Sequence, residues 1–181
     1  RELDLLALSP QQRGGLCQRA IVGTATVGAA KNDEVFPISY LPPFQRGWPD
    51  DGDDDCHGEK RWMLSALQAW GLAPERYPHR LAISAFRINQ LLVVGLPFEV
   101  TFEAGNRMAA AVQSTAEELR AGVEQVVISS HTNGFFGYST TGEEYSAQWY
   151  EGGHTLYGPQ TTPFLTRQAA ALAPGRRRRV R

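Results

Sequence analysis

The 181-residue sequence holds only two cysteines, Cys17 and Cys56, which excludes a disulfide-built miniprotein and a four-cysteine zinc site. It also lacks long apolar runs: stretches such as Leu91 to Leu96 fall far short of the roughly 18 residues that a membrane-spanning helix needs. Neither sign of charge dominates, with 18 Lys plus Arg against 19 Asp plus Glu, and this argues against a generally basic nucleic-acid binder. The four histidines, His57, His79, His131 and His154, form no H-E-x-x-H or H-x-H arrangement, so their spacing supplies no complete zinc motif. Arg1-Glu2-Leu3-Asp4 does not open a basic region followed by an apolar core, so no signal peptide is visible, and a mature chain or an internal fragment fits equally. What is present is a core-forming composition, 42% apolar and 10% aromatic, interrupted by 18 Gly and 11 Pro. Such a chain reads as about one loop-rich domain, part of something larger. The two cysteines either close one loop of about 40 residues, worth roughly 4 kcal/mol in an oxidising compartment, or remain free buried thiols.

Along the chain, Leu3, Leu5, Leu6 and Leu8 form a short stub of helix or strand that ends at Ser9-Pro10. From Cys17 to about Pro78, glycines, prolines and the acidic run Asp50, Asp51, Asp53, Asp54 and Asp55 predict mostly irregular surface structure. The acidic run lacks the glycine and distal glutamate that an EF-hand loop places at fixed offsets, and reads as a solvated loop. After Pro78, Leu81 to Ile88 and Leu91 to Leu96 predict two strands joined at Asn89-Gln90. Met108, Ala111, Val112, Thr115 and Leu119 lie on one face of a helix from about Phe102 to Ala121, with Gly122 as its stop. Gln125 to Ser129 adds a strand, giving a strand-helix-strand crossover with parallel pairing. Thr141-Gly142-Glu143-Glu144 has the capping-box form and opens a short helix to about Trp149, and Thr162 to Leu172 predicts a last helix. The fold class is therefore α/β: a mixed sheet with flanking helices and long irregular loops, spanning residues 1–175. The tail Arg176 to Arg181 reads as a flexible basic terminus, with no basic surface elsewhere to make nucleic acid its partner.

In a crossover of this kind, ligands gather at the loops leaving the carboxyl ends of the strands, here after Pro97 and Ser130. Glu99 stands just past the first of these ends, a position suited to a metal ligand or base. His131 follows the second, as a ligand, a base or a hydrogen-bonded loop imidazole, and the same alternatives apply to His154. Adjacency of Ser129 and Ser130 to His131 is not the geometry of a nucleophile and its base.

Periodicity does not explain Asn133 to Pro159, which contains Tyr138-Ser139-Thr140-Thr141-Gly142-Glu143-Glu144-Tyr145, Tyr150-Glu151-Gly152 and Thr155-Leu156-Tyr157-Gly158-Pro159. These stretches resemble the Tyr-x-Thr-Thr-x-Glu-Glu-Tyr, Tyr-Glu-Gly and Thr-Leu-Tyr-Gly-Pro segments of the neutral/alkaline ceramidase family. Leu96-Pro97-Phe98-Glu99-Val100-Thr101, with Ala104-Gly105 and Arg107, is similar to that family's Pro-Gly-Glu-x-Thr…Gly-Arg-Arg segment. The resemblance is specific from about Leu91 to Pro159 and weaker back to Cys17, covering about three quarters of this chain but only the later part of the family's catalytic domain. Phe98 stands where the family has Gly, Asn106 and Met108 interrupt the arginine-rich helix start, and Gln160 replaces a His.

The resemblance implies a zinc-dependent amidohydrolase that cleaves the N-acyl amide of ceramide, or a related N-acyl lipid drawn from a membrane surface, to a fatty acid and a sphingoid base. It makes Glu99 and Tyr138 zinc ligands, Tyr150 the phenol that stabilises the amide oxygen, Tyr150 and Phe136 substrate contacts, and Cys17 and Cys56 a disulfide. The spacings of 39 residues from Glu99 to Tyr138 and 12 from Tyr138 to Tyr150 fit the family's arrangement. Two further zinc-binding histidines and a catalytic serine would come from an upstream segment, so this chain supplies part of a site. Secretion, or a periplasmic or extracellular location, is the implied setting. The alternative is a noncatalytic relative whose loop from Phe135 to Tyr138 contacts lipid or protein.

Overall fold

A computed structural model describes residues 1–30, 32–41, 55–63, 68 and 73–173. Asp50, Asp51, Asp53 and Asp54 of the acidic run, and the tail Arg176 to Arg181, lie outside the described residues. The N-terminal part carries β1 (Glu2–Asp4), α1 (Pro10–Arg13), α2 (Ala25–Gly28) and the short antiparallel pair β2 (Ala29–Ala30) and β3 (Asp33–Glu34). Then follow β4 (Arg80–Ala82), β5 (Ser84–Ile88), β6 (Leu91–Gly95), β7 (Glu99–Val100), α3 (Phe102–Glu118), β8 (Gln125–Ser129) and β9 (Tyr138–Ser139). The C-terminal part holds α4 (Gly142–Ser146), α5 (Tyr150–Gly153) and α6 (Thr161–Ala170).

The central sheet runs β5-β6-β8 and is mixed: β5 is antiparallel to β6 and β8 is parallel to it. Asn89-Gln90 makes the β5–β6 hairpin, and Asn89 adopts φ 52°, a left-handed conformation that asparagine tolerates better than most residues. The parallel β6–β8 pair requires a crossover, which α3 provides. Leu81 to Ile88 is not one strand: β4 pairs with β1, Ile83 turns its amide to the Arg1 carbonyl, and β5 starts at Ser84.

On α3 the buried stripe is Ala104, Met108, Val112 and Ala116, so Met108 and Val112 of the expected face are buried while Ala111 is exposed and Leu119 is 48% exposed. Met108, Val112 and Ala116 pack with Leu92, Val94, Val126, Phe164, Leu165 and Ala169 in the main core. The helix ends before Gly122. The stop is Arg120, at φ 50°, where its N–H bonds the Glu117 carbonyl and the Ala121 N–H reaches back to the Ala116 carbonyl. This is the two-bond closure of a Schellman motif, normally built on glycine.

At α4 the expected capping box is present: Thr141 Oγ1 accepts from the Glu144 amide at 3.1 Å, and a Glu144 carboxylate oxygen accepts from the Thr141 amide at 2.8 Å. The same oxygen accepts from the Thr101 hydroxyl at 2.6 Å, tying α4 to the start of α3. Gln148, at φ 47°, interrupts the expected helix to Trp149, and Tyr150 begins a separate turn.

The segment after Cys17 is irregular, as expected, but some of its described residues are buried. Leu16, Cys17, Ala20 and Ile21 are buried, as are His57 and Lys60. Here the backbone finds partners mostly outside sheets: Cys17, Ile21 and Gly23 donate to the carbonyls of Tyr157, Leu156 and Gly153. Lys60 Nζ donates to the carbonyls of Ile21 at 3.1 Å and Thr155 at 2.6 Å, and the Tyr145 hydroxyl donates to the His57 carbonyl at 2.7 Å. Cys17 and Cys56 form the disulfide, with Cα atoms 5.8 Å apart, and it rests on Gly158, where any Cβ would meet the Cys17 sulfur. The N-terminal arm thus clamps residues 153–158.

Candidate functional site

The site begins at the ends of β7 and β9. These two-residue strands pair in parallel, with Glu99 opposite Tyr138 and Val100 opposite Ser139. Opposed residues of a parallel ladder direct their side chains to the same face, so two groups 39 positions apart in the sequence become neighbours. The Glu99 amide donates to the Gly137 carbonyl and the Thr101 amide to the Ser139 carbonyl, each at 3.0 Å.

Gly137 makes this close approach possible. It sits at φ 85°, and a Cβ there would lie 2.5 Å from the His154 carbonyl oxygen and 2.7 Å from Leu156 Cγ. Gly137→Ala is expected to destabilise the protein by about 2 kcal/mol or more, through left-handed strain and the clash together. A thermal melt checks this, and an unchanged melting temperature would contradict it.

The Tyr138 amide donates to the His154 carbonyl at 2.9 Å, and the His154 amide donates to Tyr150 at the start of α5, also at 2.9 Å. This brings Tyr138, Tyr150 and His154 into a triangle of rings, with centroid separations of 5.6, 5.8 and 5.9 Å. Phe135 packs edge-on against His154 at 5.8 Å and faces His131 at 5.5 Å. His131 closes the circuit, with Nε2 3.3 Å from a Glu99 carboxylate oxygen.

The electrostatics follow from this crowding. Burial, and then the Glu99 carboxylate beside it, push the Tyr138 phenol well above the ordinary tyrosine range. Burial, followed by the Lys60 charge, lowers His154, with Glu99 pulling weakly the other way. His154 Nδ1 is buried and has no hydrogen-bond partner among the described residues. Next to Glu99 and Tyr138 opens a cleft of about 650 Å³, lined also by Thr101, Phe102, Glu143 and Trp149.

Glu99, Tyr138 and Tyr150 are therefore brought together. Phe136 is not: it is 5% exposed and packs on Phe98 at 5.6 Å in the core. Its amide bonds the Pro97 carbonyl, and the glycines on either side, both at positive φ, reverse the chain so that Phe135 faces outward instead. Phe135, 43% exposed, is the more open aromatic of the two. Ser129 and Ser130 are structural, with Ser130 Oγ accepting from the Val100 amide at 3.1 Å and Ser129 Oγ accepting from Thr132 at 3.2 Å. Sequence reasoning left Phe135 and His154 without a specific place in the site. The signal for both was the glycine-flanked run from Asn133 to His154, which only folding resolves into one cluster.

A neutral ceramidase of Pseudomonas aeruginosa is 44% identical over 159 residues, covering 81% of this chain and 22% of the relative. Neutral ceramidase 3 of Arabidopsis thaliana is 44% identical over 97 residues, covering 53% of this chain and 13% of its own length. A solved ceramidase complexed with C2 superposes with a TM-score of 0.69 at 33% identity, over 96% of this chain and 29% of that one. The crystal structure of neutral ceramidase from Pseudomonas aeruginosa gives a TM-score of 0.60 at 32% identity, over 96% and 27% of the two chains. The chain spans about a fifth of the length of the first of these curated relatives and less of the second. The family described as neutral/alkaline non-lysosomal ceramidase, N-terminal, matches residues 27–167, which take in the whole Glu99, Tyr138 and Tyr150 cluster. With most of its length so matched, this chain belongs to the neutral/alkaline non-lysosomal ceramidase family.

Proposed function

We propose that this chain is the part of a zinc-dependent ceramidase that supplies Glu99 and Tyr138 as metal ligands and Tyr150 as a phenol facing the scissile amide. The observation that carries this reading is the parallel register of Glu99 with Tyr138, with the Tyr150 ring packed edge-on against Tyr138. The donor chemistry fits the metal: a carboxylate and a phenol, with an imidazole beside them, are the oxygen and nitrogen donors that zinc accepts. Glu99 is 40% exposed, so a cation can reach it from solvent. When bound, zinc supplies Lewis acidity and lowers the pKa of water toward neutrality.

The chain's own residues do the rest. Glu99 would offer a carboxylate oxygen to the cation and Tyr138 its phenol oxygen, which the cation's charge would help to ionise. The Tyr150 hydroxyl donates a hydrogen bond to the amide oxygen as charge develops there, which a preorganised donor stabilises by about 3–4 kcal/mol. Phe135 and the cleft beside Glu99 offer apolar surface to an N-acyl lipid. Two histidine ligands and a serine come from an upstream segment, and ceramide comes from a membrane surface. The Cys17–Cys56 disulfide supports an oxidising, extracytoplasmic setting.

The test is release of fatty acid and sphingoid base from ceramide by the full-length protein, before and after chelation and with zinc restored. Activity that vanishes on chelation and returns with zinc is expected. Hydrolysis indifferent to chelation would contradict the metal role, and no hydrolysis at all would favour a lipid-binding relative.

A further inference from the structure

The segment that follows β3 exposes apolar surface that the site does not use. From Val35 to Leu41, five large apolar or aromatic side chains are open to solvent, Phe36 at 83% and Val35, Ile38, Tyr40 and Leu41 at 38–51%. Single exposed hydrophobics are ordinary, but five within seven residues make a patch of the kind that marks a contact surface. The run Val35 to Phe44 contains no Asp, Glu, Lys or Arg, a composition suited to an uncharged partner.

The backbone of this turn is paired from within. Ser39 is fully buried, and its Oγ donates to the Gly28 carbonyl and accepts from the Val35 amide at 2.8 Å. The Ser39 amide donates to the Val35 carbonyl at 2.9 Å, the Tyr40 amide to the Pro37 carbonyl at 3.0 Å and the Leu41 amide to the Ile38 carbonyl at 3.1 Å. Pro37 has no amide hydrogen to satisfy. A segment that leaves water for an apolar layer needs such internal pairing, because backbone groups left unpaired there are costly. The Phe36 and Tyr40 rings pack at 6.3 Å, and tyrosine, apolar along its ring and polar at its tip, favours the boundary between lipid and water.

The turn is also joined to the candidate site. Gly28, which accepts from Ser39, ends α2, and α2 lies against α5, whose first residue is Tyr150. That packing is close: the Gly23 amide donates to the Gly153 carbonyl at 2.8 Å, and a Cβ on Gly153 would stand 2.8 Å from the Thr26 amide nitrogen.

We propose that Val35 to Leu41 is a membrane-contact surface, which seats the protein on a zwitterionic lipid bilayer by placing Phe36, Ile38 and Leu41 in its interfacial layer. The choice of a bilayer over a protein partner rests on the reading that the substrate is an N-acyl lipid, which resides in such a layer, and on the turn's internally paired backbone.

The test uses the full-length protein and phosphatidylcholine vesicles, with binding read by co-sedimentation. Hydrolysis is followed on two substrates, long-chain ceramide held in the vesicles and a short-chain, water-soluble ceramide. The double substitution Phe36→Ser with Leu41→Ser removes apolar surface and leaves Ser39 in place, while Leu119→Ser, at an exposed position on α3, is the control. The double substitution is expected to weaken vesicle binding at least about 10-fold and to lower vesicle ceramide hydrolysis in proportion. Hydrolysis of the soluble substrate and the melting temperature should not change, and Leu119→Ser should alter none of these. No vesicle binding by the unaltered protein, or equal binding by the double variant, would overturn the inference. So would a melting temperature several degrees lower in the double variant, which would assign the patch to packing against the rest of the protein. Loop-dependent vesicle binding by a protein that hydrolyses neither substrate would uphold the surface and sink the ceramidase reading. Hydrolysis of both substrates with loop-independent binding would do the reverse.

Discussion

Glu99→Gln is expected to reduce ceramide hydrolysis by the full-length protein by more than about 1000-fold, exceeding the ~100- to 1000-fold cost of losing one oxyanion donor. The substitution keeps the volume and the β7–β9 ladder, whose bonds at this position are backbone bonds, but removes the negative oxygen from the metal. It should therefore lower zinc content and activity together while leaving the melting temperature of the metal-free protein unchanged. Tyr150→Phe should behave differently. It deletes a hydroxyl that acts on the developing charge, so kcat falls by about 100- to 1000-fold while zinc content is retained. Steady-state kinetics with zinc analysis on both variants separate the two roles. A Glu99→Gln enzyme of normal rate would contradict the assignment, and so would loss of zinc from Tyr150→Phe.

Reducing the Cys17–Cys56 disulfide, or replacing both residues with Ser, is expected to cost roughly 4 kcal/mol, the chain-entropy value for a loop of about 40 residues. Against a total stability of about 5–15 kcal/mol this is a large loss, and at about 2–4 °C per kcal/mol it should lower the melting temperature by roughly 8–16 °C. The effect extends to the site because the bridge anchors the arm that clamps residues 153–158. Gly23 donates to the Gly153 carbonyl at 2.8 Å, and Lys60 holds the Thr155 carbonyl. Hydrogen exchange at residues 150–158 should rise with reduction. Equal melting temperatures for the oxidised and reduced chains would show that the clamp holds without the bond.

Features fixed by local chemistry were legible in the sequence. Asn89-Gln90 between two β-rich runs, and Thr141 three residues before Glu144, each carry their own turn or cap, so the hairpin and the α4 start fell where expected. The parallel crossover was equally readable from strand, helix and strand order. The helix face was harder, because α3 buries small alanines at Ala104 and Ala116 while similar alanines on its other faces are exposed. Composition cannot distinguish them. Its stop was misread because a left-handed arginine took the place that Gly122 seemed made for. The burial of His57 and Lys60 left no trace in the sequence, since both satisfy backbone carbonyls of distant segments. Of the candidate site, Glu99 stood out by its position past a strand end, and Tyr138 and Tyr150 came from resemblance. The ring circuit through Phe135, His154 and His131 emerged only when the β7–β9 register brought the two loops together.

The proposed site centres on a zinc ion held in part by Glu99 and Tyr138. Its most direct test is zinc stoichiometry by elemental analysis of the natively purified full-length protein, with intact mass on the same sample to identify the chains present. About one zinc per catalytic domain, lost on Glu99→Gln and on Tyr138→Phe, is the predicted result. A protein that hydrolyses ceramide without zinc, or that keeps its zinc in both variants, would contradict it.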